Sequence, residues 1–172
     1  MKIFLIGFMG AGKSTFGKKL AAAMGYGFFD LDQEFEKRSG GSAADFISSN
    51  GESAFREMES VCLKSAHWAE NSVIATGGGT PCFFDNLEWM KKNGLTIYLN
   101  VPEGVLMQRL SASPGQRPIL GNREGEELKQ HISRLLAGRK SYYEQADLTI
   151  NREDLSVDKA KQMIGKWVTK RD

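Results

Sequence analysis

The chain has 172 residues, enough for one domain with a core of its own. It is 41% hydrophobic and 26% charged, an ordinary globular composition, and 23 basic against 21 acidic residues leave a net charge of +2. That near balance, with no basic run, argues against nucleic acid as a partner. The only cysteines, Cys62 and Cys82, match no zinc spacing and make no disulfide framework. The apolar run after Met1-Lys2 is too short for a signal peptide, and no run approaches a membrane span. The expectation is a cytoplasmic monomer with small-molecule partners, no nucleic acid and no membrane.

Lys2 to Ile6 is predicted to be a buried parallel strand, because Ile3-Phe4-Leu5-Ile6 is an unbroken apolar run. It leads into Gly7-Phe8-Met9-Gly10-Ala11-Gly12-Lys13-Ser14-Thr15, which fits the pattern Gly-x4-Gly-Lys-[Ser/Thr]. From Lys13 to Met24, apolar residues at Phe16, Leu20, Ala23 and Met24 have helical spacing, and Gly25 follows as a stop. A glycine loop between a strand and a helix N-terminus offers free amide hydrogens and a positive dipole end to an anion. Gly10, Ala11, Gly12, Lys13, Ser14 and Thr15 would therefore hold a nucleoside triphosphate. Lys13 would reach the β- and γ-phosphates, and the Ser14 hydroxyl would hold Mg²⁺.

A second strand, Gly27 to Asp30, runs into Leu31-Asp32. Read as an extended segment, it points Asp30 and Asp32 to the same side, at the sheet edge where ligands bind. One carboxylate would orient hydrated Mg²⁺ and the other accept a proton from an acceptor hydroxyl. The alternative is a pair of N-caps for a helix beginning at Gln33. Ser42-Ala43-Ala44-Asp45 resembles a capping box before Phe46 and Ile47. A longer helix is predicted over Ser53 to Glu70, with Phe55, Met58, Val61, Cys62, Ala66 and Ala69 on one face and Arg56 outside that stripe. This insertion, about 33–61, is too long for a simple crossover and reads as a substrate-facing flap within a single 1–172 domain.

Ser72 to Thr76 is a third strand, ended by Gly77-Gly78-Gly79, where three glycines permit positive φ and close approach of a ligand to backbone amides. Leu95 to Val101 is a fourth strand and Asp147 to Asn151 a fifth. Between them, Ser111 to Glu127 is rich in turn formers and carries Arg117, and a lid over about 111–125 is expected, with Ile119-Leu120 packing when closed. An arginine delivered by such a loop to a triphosphate is a recurring part of phosphoryl transfer. Arg56 and Arg139 are further candidate anion clamps. His67, His131 and the three tryptophans read as structural. Strands alternating with helical stretches make this an α/β chain, a parallel sheet covered on both faces.

Taken in order, these markers resemble shikimate kinase, in the nucleoside-monophosphate-kinase-like branch of the P-loop fold. They are the loop Gly7 to Thr15, Asp30-Leu31-Asp32, Gly51-Glu52 with Phe55-Arg56 and Glu59, Thr76 to Gly79, Arg117 to Leu120, and Arg139 to Tyr143 running on to Ala146-Asp147. The resemblance implies a three-layer α/β/α P-loop kinase with a five-stranded parallel sheet in the order 2-3-1-4-5. It also implies ATP-dependent phosphorylation of the 3-hydroxyl of shikimate, in aromatic amino-acid biosynthesis. Asp32, Arg56, Gly77, Gly78, Gly79 and Arg139 would form the acceptor site, with Asp32 also assisting deprotonation. Ser14 and Asp30 would serve Mg²⁺, Lys13 and Arg117 the transferring phosphoryl group, and Arg109 and Arg152 the nucleotide. Rival expectations are another acceptor on the same fold, such as gluconate or a nucleoside monophosphate, and a nucleotide-binding regulator without turnover.

Overall fold

The computed structural model describes residues 1–112, 120–121 and 123–170. In chain order the elements are β1 (Lys2–Ile6), α1 (Lys13–Met24), β2 (Gly27–Asp30), α2 (Leu31–Ser39), α3 (Ala43–Ser65), β3 (Ser72–Ala75), α4 (Asn86–Asn93), β4 (Leu95–Asn100), α5 (Glu103–Ser111), α6 (Gly125–Tyr143), β5 (Leu148–Asn151) and α7 (Val157–Thr169). The strands form one sheet of five in the order β2-β3-β1-β4-β5, with every neighbouring pair parallel. This is the order that the family resemblance implies.

Ile3, Phe4, Leu5 and Ile6 have no exposed surface, which is why β1 reads as a continuous apolar run. Ile3 pairs with Val73 on one side and Leu95 on the other. Helix α1 packs on β2 and β3 and against α7, while α4 lies on β4. Gly25 ends α1 in the left-handed conformation (φ 68°), its N–H satisfying the last carbonyls.

Several local expectations need correction. The helical stripe of α1 turns Ala21 inward rather than Ala23. The two helical stretches of the insertion abut within α3, where non-helical Gly51 (φ 85°) breaks one from the other, and the second stops at Ser65, short of Glu70. Ser42 caps α3 by accepting from the Asp45 amide at 3.1 Å, but the Asp45 carboxylate binds the Ser42 hydroxyl rather than its backbone N–H. Only half of a capping box forms. Val61, expected on the inner face, is 54% exposed, whereas Arg56 and Glu59 are buried. The inner face of α3 is thus partly ionic, a pattern that hydrophobic periodicity overlooks. Leu120 is buried in the core, while Arg117 and Ile119 lie outside the described residues.

Gly17 marks a close seam between α1 and the sheet. A methyl group there would come within 2.7 Å of the Phe28 ring and 3.0 Å of the Leu5 side chain. Gly17→Val is expected to lower unfolding free energy by about 1–3 kcal/mol through overpacking, read from the midpoint of urea denaturation.

Candidate active site

The chain leaves β1 at Ile6 and turns through a loop in which Gly10 and Gly12 take positive φ (79° and 91°). Gly12 stands at the N-cap of α1, with no side chain capping the helix and no acidic residue in its first turn. The positive end of the helix is therefore left for an anion. Lys13, only 8% exposed, bends back so that Nζ donates to the carbonyls of Gly7 (2.7 Å) and Phe8 (3.0 Å). Arg109, from α5, donates to the Gly10 carbonyl at 2.8 Å. A cavity of about 640 Å³ opens here, lined by Gly10 to Phe16, Lys19, Arg109 and Leu155 to Val157. Arg152 comes three residues before Leu155 in sequence, is exposed, and does not line the cavity.

At the mouth of the loop, Ser14 Oγ donates to Asp30 Oδ2 at 2.6 Å. The other Asp30 oxygen accepts the Asp32 amide at 3.1 Å, so Asp30 is the N-cap of α2. Strand β2 ends at Asp30, and Asp32 already lies in the first turn of α2. The two carboxylates are therefore not successive same-side residues of an extended segment. Asp30 meets Ser14, while Asp32 lines the phosphate cavity, which Ser14 also lines, and a second one beside it. The N-cap alternative holds for Asp30, alongside its contact with Ser14.

The second cavity, about 210 Å³, is bounded by α2 and α3, by Phe55, Arg56 and Glu59, and by Gly77 to Gly79. Arg56 is 3% exposed. It donates to Glu59 at 2.9 Å and twice to Glu52, and it lies between the rings of Phe55 (4.9 Å) and Phe83 (4.6 Å). Glu59 also accepts from Thr80 at 2.8 Å. Burial pushes the Glu59 carboxyl above its ordinary range, and the Arg56 charge with these hydrogen bonds pulls it back. Arg56 is thus a pre-oriented guanidinium rather than a free arm.

None of the three glycines takes positive φ. What they provide is closeness. A methyl on Gly78 would meet the Met9 amide nitrogen at 2.9 Å, and one on Gly79 would meet the Arg56 guanidinium at 2.8 Å. Arg139, from α6, is 6% exposed and faces the Phe8 ring at 5.7 Å. Its Nη1 has no hydrogen-bond partner among the described residues. A buried, unpartnered guanidinium nitrogen is costly unless a ligand completes it.

The family model for shikimate kinase matches residues 9–169. The chain belongs to that family. It is 43% identical over 155 residues to the shikimate kinase of Bacteroides thetaiotaomicron, covering 90% of this chain and 89% of that one. A crystal structure of shikimate kinase from the same organism superposes with a TM-score of 0.88 at 39% identity, covering 96% and 98% of the two chains. Shikimate kinase from Acinetobacter baumannii, solved in complex with shikimate, gives 0.86 at 32% identity over 99% and 94%. The chain is accordingly a P-loop kinase, and ATP is its co-substrate. Among the described residues no helix is long and apolar enough to cross a membrane.

Sequence reasoning missed the support behind Arg56. Thr80 and Asn86 are fully buried, Asn86 donates to the Thr80 carbonyl, and Ser60 donates to Asn86. Phe83 comes from the same turn. No spacing signal links residues 80–86 to Arg56, because the contact forms only when the 80–82 turn and α4 pack against α3. Glu59→Ala should lower unfolding free energy by about 1–3 kcal/mol in chemical denaturation, since it leaves Arg56 with only the half-exposed Glu52 and the Thr80 hydroxyl without its acceptor.

Proposed function

We propose that this chain transfers the γ-phosphoryl group of ATP to the 3-hydroxyl of shikimate. The observation that carries the reading is the position of Asp32, which lines both the phosphate cavity and the smaller cavity beside it. A carboxylate there can accept the hydroxyl proton as the oxygen attacks phosphorus. The transition state of phosphoryl transfer is loose, so positioning and charge stabilisation do most of the work. Lys13 would lie along the phosphates, and the open N-terminus of α1 would receive them. Arg56 uses only part of its donor set on Glu52 and Glu59, and its remaining N–H groups, with the unpartnered Nη1 of Arg139, suit a carboxylate. The relative solved with shikimate makes that acid the natural choice. Arg117 lies outside the described residues and is assigned to the phosphates on its sequence position alone.

Mg²⁺ fits the donor set. Ser14 and Asp30 present hard oxygens side by side at the loop mouth. The described residues hold no cluster of three or more His, Cys, Asp or Glu side chains that would form an all-protein cage. Mg²⁺ is typically held by one or two protein oxygens, waters and substrate phosphates. When bound it would neutralise phosphate charge, with Ser14 as direct ligand and Asp30 acting through water. The insertion, about 33–61, supplies the acceptor wall, and the stretch 111–125 is assigned as the lid.

ADP release coupled to shikimate, compared with gluconate, AMP and no acceptor, tests the reading. Shikimate-dependent turnover at least about 10⁴-fold above the analogues is expected from a site that bonds specific hydroxyls. Equal turnover with gluconate or AMP would overturn it, and binding of ATP and shikimate without ADP release would mark a regulator. Asp32→Asn is expected to lower kcat by roughly 10²–10⁴ with little change in the ATP KM. Arg56→Lys is expected to raise the shikimate KM about tenfold or more while leaving the ATP KM unchanged.

A further inference from the structure

Tyr143 is fully buried, and no step above uses it. It is the last residue of α6, one turn beyond Arg139. Its hydroxyl donates to the carbonyl oxygen of Gly78 at 2.5 Å. Its ring stacks on Tyr98 of β4, with centroids 5.3 Å apart and planes at 26°. The Tyr98 hydroxyl is directed elsewhere, to Asn100 at 3.1 Å. The ring of Tyr143 is thus held by packing, and its hydroxyl donates to the Gly78 carbonyl while also accepting from the Arg139 guanidinium. Burial raises the Tyr143 phenol above its ordinary pKa, more strongly than the opposing Arg139 charge lowers it, so the group remains a donor.

The carbonyl it holds matters for the site. Gly78 lines both cavities, and Gly79 lines the smaller one. In a planar trans peptide the carbonyl of Gly78 and the N–H of Gly79 point in opposite directions. Holding one therefore aims the other. Glycine has little conformational preference of its own, so a glycine strip needs an external tie to keep its peptide planes in place. Arg56 lies directly against Gly79, so a rotated peptide would also disturb the space beside the guanidinium.

We propose that Tyr143 is a positioning residue for the acceptor: its hydroxyl fixes the Gly78–Gly79 peptide so that the Gly79 amide is presented to the bound acid. The proposal rests on the reading of the smaller cavity as the acceptor site. Tyr143→Phe removes the hydroxyl and keeps the ring on Tyr98. The shikimate KM should rise roughly three- to tenfold, the worth of one hydrogen bond, with the ATP KM and kcat within about twofold of the parent. In the ligand-free protein, the Gly79 amide peak should move in a nitrogen–proton correlation spectrum. Tyr142→Phe, at an exposed side chain next door, should change neither quantity. A purely structural role would lower thermal stability and leave the shikimate KM in place. A shikimate KM within about twofold of the parent, or an unmoved Gly79 peak, overturns the proposal. Failure of the shikimate reading itself looks different: the parent would release no ADP with shikimate, and the Gly79 peak alone would then decide.

Discussion

Strand β1 is covered by β3 on one side and β4 on the other, with four consecutive residues wholly withdrawn from solvent. The other parts of the site are arranged around that burial. The chain order doubles back at β1, so the crevice beyond its end is where connections diverge and a ligand finds room. The phosphate loop leaves from that end. Because all strand pairs are parallel, Asp30 and the glycine strip after β3 leave from the same edge. Chemistry scattered over the first eighty residues is brought to one rim by strand direction alone.

On that rim, charge is handled unevenly. The phosphate side keeps its helix end uncapped and Lys13 folded against backbone carbonyls, a cationic lining already desolvated. The acceptor side pairs Arg56 with carboxylates and rings, yet among the described residues leaves Nη1 of Arg139 unpartnered. One arginine is stiffened before binding, whereas the other bears a desolvation cost that a ligand can relieve. Asp32 stands where the two sides meet. Its place follows from a change of local structure: β2 stops at Asp30, whose carboxylate caps α2, and the first helical turn swings Asp32 round.

Much of this was legible beforehand. The glycine loop with its flanking strand and helix, β1 and β2 to the residue, and the α/β class follow from apolar runs, periodicity and glycine placement. Local patterns erred where polar groups lie inside. The inner face of α3 is read as apolar by periodicity, but Arg56 and Glu59 occupy it while Val61 is exposed. Each is tolerable there because the other neutralises it, and the partner cannot be recognised from one helix in isolation. The glycines after β3 suggested positive φ, yet they serve close approach to Met9 and Arg56, a fact about neighbours rather than dihedrals.

The amino-acid sequence by itself determined the identity of the phosphate loop, the five strands, the helix after the loop, and the family. Those depend on residue type and spacing within a few turns of chain, where backbone geometry is local. Only the tertiary structure decided which side of the phosphate loop Asp32 serves, what holds Arg56, and that Tyr143 reaches Gly78 across 65 positions. Such contacts arise when separate elements pack together, and no local periodicity encodes which buried polar groups will meet.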